Sequence, residues 1–250
     1  MFLDGLEDAY DKGTLMGAFA EQCAEHYQFS RTQQDDYALR SLSRALSAQQ
    51  DGVFETEIAR VVVKTRKGDV AVGHDEQPGN ARPEKIPTLK PAFKPDGTVT
   101  PANSSSISDG ASALVLAAHA KATELALPVR AVIKGHATFA HEPSWFTTAP
   151  IHAANKLLGQ LNWAKDSVDL WEVNEAFAVV AMAFIRDLEL SPDIVNINGG
   201  ACAMGHPIGA SGNRIVVTLL NALETRGLKR GIAAVCLGGG EATAIAIERP

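Results

Sequence analysis

Apolar positions along the chain change period several times, and each change marks an element. Residues 16–50 carry a helical apolar stripe at Tyr37, Leu39, Leu42 and Leu46. Within them Ser30 and Gln33 have the spacing of a capping box, and Gly52 lies just past the expected helix end. The period then drops to that of strands. In "EIARVVVKTRKGDVAV", residues 57–72, two β-branched runs flank the turn-like "RKGD", which predicts a hairpin. Residues 73–106 hold Pro78, Pro83, Pro87, Pro91, Pro95 and Pro101. A loop-rich stretch of that length in a compact domain reads as a working surface.

After it the chain alternates. "ASALVLAAHAKATEL", residues 111–125, predicts a buried strand running into a helix. "VRAVIKGHATFA" (129–140) predicts a strand and "IHAANKLLGQLNW" (151–163) a helix. "VDLWEV" (168–173) predicts a strand, and residues 174–188 form a helix apolar nearly all round, hence buried. "IVNINGG" (194–200) reads as a further strand. Residues 211–227 predict a helix with Ile215, Val216, Leu219, Leu220 and Leu223 on one face. Two apolar strands, 231–240 and 241–248, meet at a glycine turn. This β-α-β-α-β-β order predicts a layered α/β domain.

Composition narrows the function. The 250 residues are 46% hydrophobic and 21% charged, enough for one large or two modest soluble domains. A net charge of -6 argues against general nucleic-acid binding, which needs clustered Lys and Arg. Three cysteines, Cys23, Cys202 and Cys236, make neither a disulfide framework nor a CxxC pair. They suit a reducing compartment, and a cytoplasmic location is expected. No run approaches the length of a membrane span, and the acidic start has no secretory n-region.

The unusual polar residues gather at three strand ends, where ligands sit in open α/β sheets. In "VNEAFA", Asn174 and Glu175 stand where a strand passes into a buried helix. Taken alone, the pair reads first as an N-cap with an acid in the first turn. In "NGGACAMGHPIGASG", His206 sits among Gly199, Gly200, Gly205, Gly209 and Gly212. No lysine follows as a P-loop requires, the GxGxxG spacing is absent, and no ligand set for zinc lies nearby. What remains is a tight backbone path aiming His206 at the space before a helix. In "CLGGGEA", Cys236 ends a strand beside glycines whose N–H groups could hold an oxyanion. A lone strand cysteine is most often packing. Together the three corners offer an amide, an imidazole, a thiol and bare backbone, a set suited to thioester chemistry in which a thiol of lowered pKa moves a proton at carbon.

These three motifs, in this order and spacing, resemble the thiolase family, and the resemblance extends upstream through "MGAFAEQCAEHYQFSRTQQDDYALRS" and "LKPAFKPDGTVTPANSSSISDGASALVL". It implies a layered αβαβα fold, with residues 111–250 as the βαβαβαββ C-terminal domain. Residues 1–110 would be the loop domain and the remainder of the N-terminal half. His206 would activate a nucleophilic cysteine and help form an oxyanion hole, Asn174 would hold the water of that hole, Cys236 would be the acid/base of condensation, and Gly238 would donate a backbone N–H. Ser105 would meet the pantetheine arm of coenzyme A. Leu6, Phe93, Phe146, Ala176 and Phe177 would line the CoA and acyl tunnel.

The implied activity is that of an acetyl-CoA C-acetyltransferase. The alternatives are a 3-ketoacyl-CoA thiolase of fatty-acid β-oxidation and a non-catalytic CoA or lipid binding module. The CoA thioester is substrate, and no cofactor or metal is implied. The expected partners are acyl-CoA and CoA, and either further copies of the chain or a complementary N-terminal thiolase half. No nucleic acid or membrane is among them. The family nucleophile is a cysteine in a half preceding the loop domain. Cys23, in a helical stretch without a glycine corner, and Cys202, at an aliphatic position, both read as packing. The isolated chain is therefore expected to be inactive. Ala242 stands where glycine is usual, and Leu15 where a CoA-contacting histidine is common.

Overall fold

The computed structural model describes residues 2–250. Two helices, α1 (Met16–Tyr27) and α2 (Arg31–Gln50), replace the continuous helical stretch. Gln28 adopts the left-handed conformation (φ 54°) and ends α1. Ser30 then opens α2 with both arms of the capping box, its hydroxyl accepting from Gln33 N–H while the Gln33 side chain accepts from Ser30 N–H. The predicted hairpin is present as β1 (Val61–Thr65) and β2 (Gly68–Val72), exposed on both faces. The proline-rich stretch that follows holds one short helix, α3 (Gln77–Asn80), and a 3-10 turn.

The main sheet is built from β3 (Val132–Ala140), β4 (Leu170–Val173), β5 (Arg230–Leu237) and β6 (Glu241–Glu248), in the order β3-β6-β5-β4. Only β4 and β5 run parallel. Three helices cover it: α5 (Ala149–Leu161), α6 (Ala178–Asp187) and α8 (Ile208–Thr225). Two shorter ones, α4 (His119–Glu124) and α7 (Ala201–Met204), lie in the connections.

Strand alternation assigns the two faces. Trp171, Val173, Ile232, Ala234, Cys236, Ala244 and Ala246 point to one side and pack with α5, α6 and α1. Leu170, Ala233 and Ile247 point to the other and meet Ile215, Leu219 and Leu223 of α8. The strands are rich in alanine, so helices approach closely, and α6 is buried over most of its length. Val179, Val180 and Phe184 face the sheet, while Ala178 and Ala181 meet Tyr37 of α2. Each such large apolar side chain contributes roughly 1.5–3 kcal/mol by leaving water.

Three expectations are corrected. Residues 111–118 form no strand: they are extended and mostly exposed, with Val115 93% and Leu116 72% accessible, and have no ladder partner among the described residues. Residues 194–200 make one parallel bridge, Trp171 to Val195, before Asn196 turns left-handed (φ 48°) and ends the pairing. The helix after β4 starts at Ala178, with Phe177 rather than Asn174 at its cap.

Candidate active site

The parallel pairing of β4 with β5 brings two of the predicted corners to one sheet edge. Asn174 follows β4 and donates its backbone N–H to Ala234 of β5, two residues before Cys236. Its side chain is fully buried. Asn174 Nδ2 donates to His206 Nε2 at 3.3 Å, while Asn174 Oδ1 is buried without a partner. A capping role would place that oxygen on helix N–H groups, so the N-cap reading is excluded.

Glu175 is not a dipole ornament either. Its buried carboxylate accepts from Tyr37 Oη (2.8 Å), Ser41 Oγ (2.7 Å), Asn196 Nδ2 (2.9 Å) and the Cys202 N–H (3.0 Å). A buried carboxylate is tolerable only with such a set of donors. Glu175 thereby ties α2 to the segment that leads into His206.

The glycines of that segment serve close packing. A Cβ at Gly199 would strike the Ser41 carbonyl and Ala45 of α2, and one at Gly200 would strike the Glu175 carboxylate. Gly205 (φ 88°) turns the chain so that His206 N–H donates to the Ser106 carbonyl. Gly209, by contrast, faces open space.

His206 Nδ1 lies 2.5 Å from Ser211 Oγ in the first turn of α8. The single hydroxyl proton of Ser211 goes to the Pro207 carbonyl at 3.1 Å. Ser211 Oγ therefore accepts from Nδ1–H, which fixes the tautomer and leaves the Nε2 lone pair toward Asn174. Burial, aided by the charge of Arg214, pushes His206 down to about 4. The imidazole is neutral at physiological pH and can take a proton. Ser211 was not singled out in the sequence; the only signal is a hydroxyl five residues after the histidine, at a helix start.

Cys236 shows the opposite shift. Its side chain lies in the apolar cluster under α1, α5 and α6, and burial pushes the thiol up to about 12. Among the described residues no cationic group offsets this, so the condition of a lowered thiol pKa is not met and Cys236 keeps its proton. Gly238 is exposed in the turn between β5 and β6 and borders Met16, whose Sδ would stand 3.6 Å from an added Cβ. Cys23 is buried within α1 and pushed up to about 11 by burial. Cys202 points its thiol at the Glu175 carbonyl (3.8 Å) and is raised by burial and the Glu175 charge.

Of the six residues implied for the pantetheine arm and the tunnel, five come together. Ser105 N–H and Oγ both donate to the Ala176 carbonyl, at 3.0 and 2.9 Å, and Ser104 bridges Phe177. The rings of Phe93 and Phe146 stand edge-on to Phe177 at 6.0 and 6.4 Å. Leu6 stands apart, half-buried in a π-type turn, Phe2–Leu6, whose Gly5 neighbours Ile208. A separate cavity of about 510 Å³ opens on His206 and is lined by Ser108, Asp109, Gly110, Pro207 and Asn213. None of those six residues lines it. Among the described residues no cluster of His, Cys, Asp and Glu could hold a metal ion, and no helix is long and apolar enough to cross a membrane.

Comparison with known proteins gives these corners a context. The sequence pattern of the thiolase N-terminal domain matches residues 1–120, and that of the thiolase C-terminal domain matches residues 127–249. A probable acetyl-CoA acetyltransferase of Dictyostelium discoideum is 48% identical over 98% of this chain and 59% of its own length. The crystal structure of the Bacillus anthracis acetyl-CoA acetyltransferase superposes with a TM-score of 0.95 at 40% identity, covering 98% of this chain and 62% of that one. Acat5 thiolase from Ascaris suum, crystallised in complex with coenzyme A, gives 0.91 at 44% identity, covering 99% and 63%. The chain thus spans about three-fifths of the length of these relatives. Sequence and fold agree from end to end of the described residues, and the chain belongs to the thiolase family.

Proposed function

We propose that this chain supplies the second-substrate half of an acetyl-CoA C-acetyltransferase site, acting on short acyl-CoA thioesters. The observation that carries the reading is the Asn174–His206–Ser211 chain of contacts, which holds a neutral imidazole, its Nε2 lone pair toward Asn174, on the wall of an open cavity. A base of that kind takes the proton of an attacking thiol. The relatives named for acetyl-CoA acetyltransferase activity favour it over the 3-ketoacyl-CoA alternative: the human mitochondrial 3-ketoacyl-CoA thiolase structure is 35% identical.

None of the three cysteines suits the nucleophile, so the attacking thiol is assigned to a complementary N-terminal thiolase half reaching His206. In the thiolytic direction that thiol passes its proton to His206 and adds to the keto carbon of a 3-ketoacyl-CoA. The carbon–carbon bond breaks, and the departing enolate carbon takes the Cys236 proton, giving acetyl-CoA and an acyl-cysteine. His206 passes its proton to the Cys236 thiolate and then takes that of incoming CoA–SH, whose thiolate attacks the acyl-cysteine. The second acyl-CoA leaves, and His206 returns the proton to the nucleophile. Asn174 Oδ1, buried and unpartnered, suits an ordered water that with His206 would face the enolate oxygen. The Gly238 N–H would face the tetrahedral oxyanion.

The test is thiolysis of acetoacetyl-CoA by the purified 250-residue chain, alone and mixed with an N-terminal thiolase half. Background turnover alone and restored turnover in the mixture are expected. Robust turnover by the chain alone would place the nucleophile among Cys23, Cys202 and Cys236 and overturn this assignment.

A further inference from the structure

Four phenylalanines stand in one continuous row. Phe19 meets Phe146 at 6.4 Å and 69°, Phe146 meets Phe177 at 6.4 Å and 60°, and Phe177 meets Phe93 at 6.0 Å and 80°. Each is the edge-to-face arrangement that aromatic rings prefer. Phe19, Phe146 and Phe177 are at least nine-tenths buried and share one apolar cluster with Cys236 and Met16. The first turn of α1 reaches the same corner: Met16 borders Gly238, and Gly17 lies so close to the Phe93 ring that any Cβ there would collide with it. The row therefore runs through the apolar cluster that holds the Cys236 thiol, and the first turn of α1 joins its Phe93 end to the Gly238 turn.

Phe19 differs from the other three. It belongs to none of the three strand-end motifs, and its ring backs Phe146. In a close-packed interior a side chain can yield only if its neighbour does. Phe146 is held by Phe19 and by Phe177, and Phe177 is fixed in turn by the Ser104 bridge and by Phe93.

We infer that Phe19 sets acyl-chain length, holding Phe146 against the acyl position so that chains much longer than acetyl find no room beside Cys236. This rests on the reading of the Cys236–Gly238 corner as the acyl site. Phe19 acts through Phe146, so it is a positioning residue. Removing its ring leaves an apolar space of the kind that takes up apolar ligands. Pocket discrimination of this sort is worth about tenfold or more per methylene.

Equilibrium titration of the full 250-residue chain with CoA, acetyl-CoA and hexanoyl-CoA tests it. The unaltered chain is expected to bind hexanoyl-CoA at least tenfold more weakly than acetyl-CoA. In Phe19→Ala the hexanoyl affinity should rise about tenfold, with CoA and acetyl-CoA affinities unchanged. Phe19→Leu keeps more volume and protects the test against a misfolded alanine variant; it should give a smaller rise in the same direction. A merely structural residue would shift all three ligands together. An unchanged hexanoyl-to-acetyl ratio in both variants, with CoA still bound, overturns the inference alone. Failure of the unaltered chain to bind CoA overturns the site reading beneath it, and the inference with it.

Discussion

His206 and Cys236 are both buried at the same end of the sheet, and burial drives them to opposite chemical roles. Low polarity disfavours whichever form is charged. For an imidazole that form is the protonated one, so His206 falls to about 4 and stands ready to accept a proton. For a thiol it is the thiolate, so Cys236 rises to about 12 and keeps its proton. One physical cause thus makes a base and an acid, and the distinction lies only in residue type. The corners also differ in support. His206 is fixed by hydrogen bonds to Ser211 and Asn174, whereas Cys236 is held by apolar packing alone.

The largest effect should come from breaking the comparison outright. In enzyme assembled with a nucleophile-bearing half, His206→Ala is expected to lower turnover by about 10³-fold in both half-reactions, because in the proposed mechanism the same base serves every thiol attack. Cys236→Ala should do comparable damage to carbon–carbon cleavage while leaving acyl exchange between acetyl-CoA and labelled CoA within a few-fold of normal. Exchange rates and acetoacetyl-CoA thiolysis measured on both variants decide it. Equal loss of exchange in the two variants would contradict the division of roles.

A subtler change sharpens the difference in support. Ser211→Ala removes the acceptor for His206 Nδ1–H and frees the imidazole to switch tautomer. A drop of about tenfold in kcat with KM little altered is expected, together with a displaced pH profile. Ser211→Thr keeps the hydroxyl and should restore most of the rate. No analogous hydrogen-bond partner exists to remove at Cys236, whose neighbours tune only its packing.

How far these features could be read from the chain follows from the range of the interactions behind them. The strands 230–237 and 241–248 were legible because alternation is local and both faces are buried. Residues 111–118 carry equally apolar residues, but a strand needs a neighbour, and none pairs with them here. The 194–200 stretch has strand-like residues until Asn196, whose left-handed turn is enforced by side-chain bonds to Val173 and Glu175 that no local pattern reveals. Among site residues, the Asn174, His206 and Cys236 corners show through their glycines and strand ends. The Glu175 hub was hidden because Tyr37 and Ser41 lie more than a hundred residues away in sequence. Burial, which keeps the Cys236 thiol protonated, is likewise a property of the assembled core.

The smallest effect tests whether burial is the common cause. Glu172 precedes Asn174 by two residues, on β4, and is 2% exposed. Burial, opposed by Arg214, lifts its carboxyl from 4.5 to about 8, so the folded protein keeps a proton there that the unfolded chain releases. The unfolded state thus binds fewer protons between pH 4.5 and 8, and stability falls as pH rises across that window. His206 contributes the opposite slope, gaining stability as pH rises from about 4 to 6.5, and is silent above it. Between pH 6.5 and 8 His206 no longer opposes the Glu172 slope, which is worth on the order of 1–2 kcal/mol. Glu172→Gln mimics the protonated acid in shape and cannot ionise. Its Tm should match the parent near pH 4.5 and exceed it by several degrees at pH 8, flattening the curve in that interval. Parallel curves for the two proteins from pH 6.5 to 8 would mean that Glu172 ionises in the folded state, and that burial alone does not set the charges at this sheet edge.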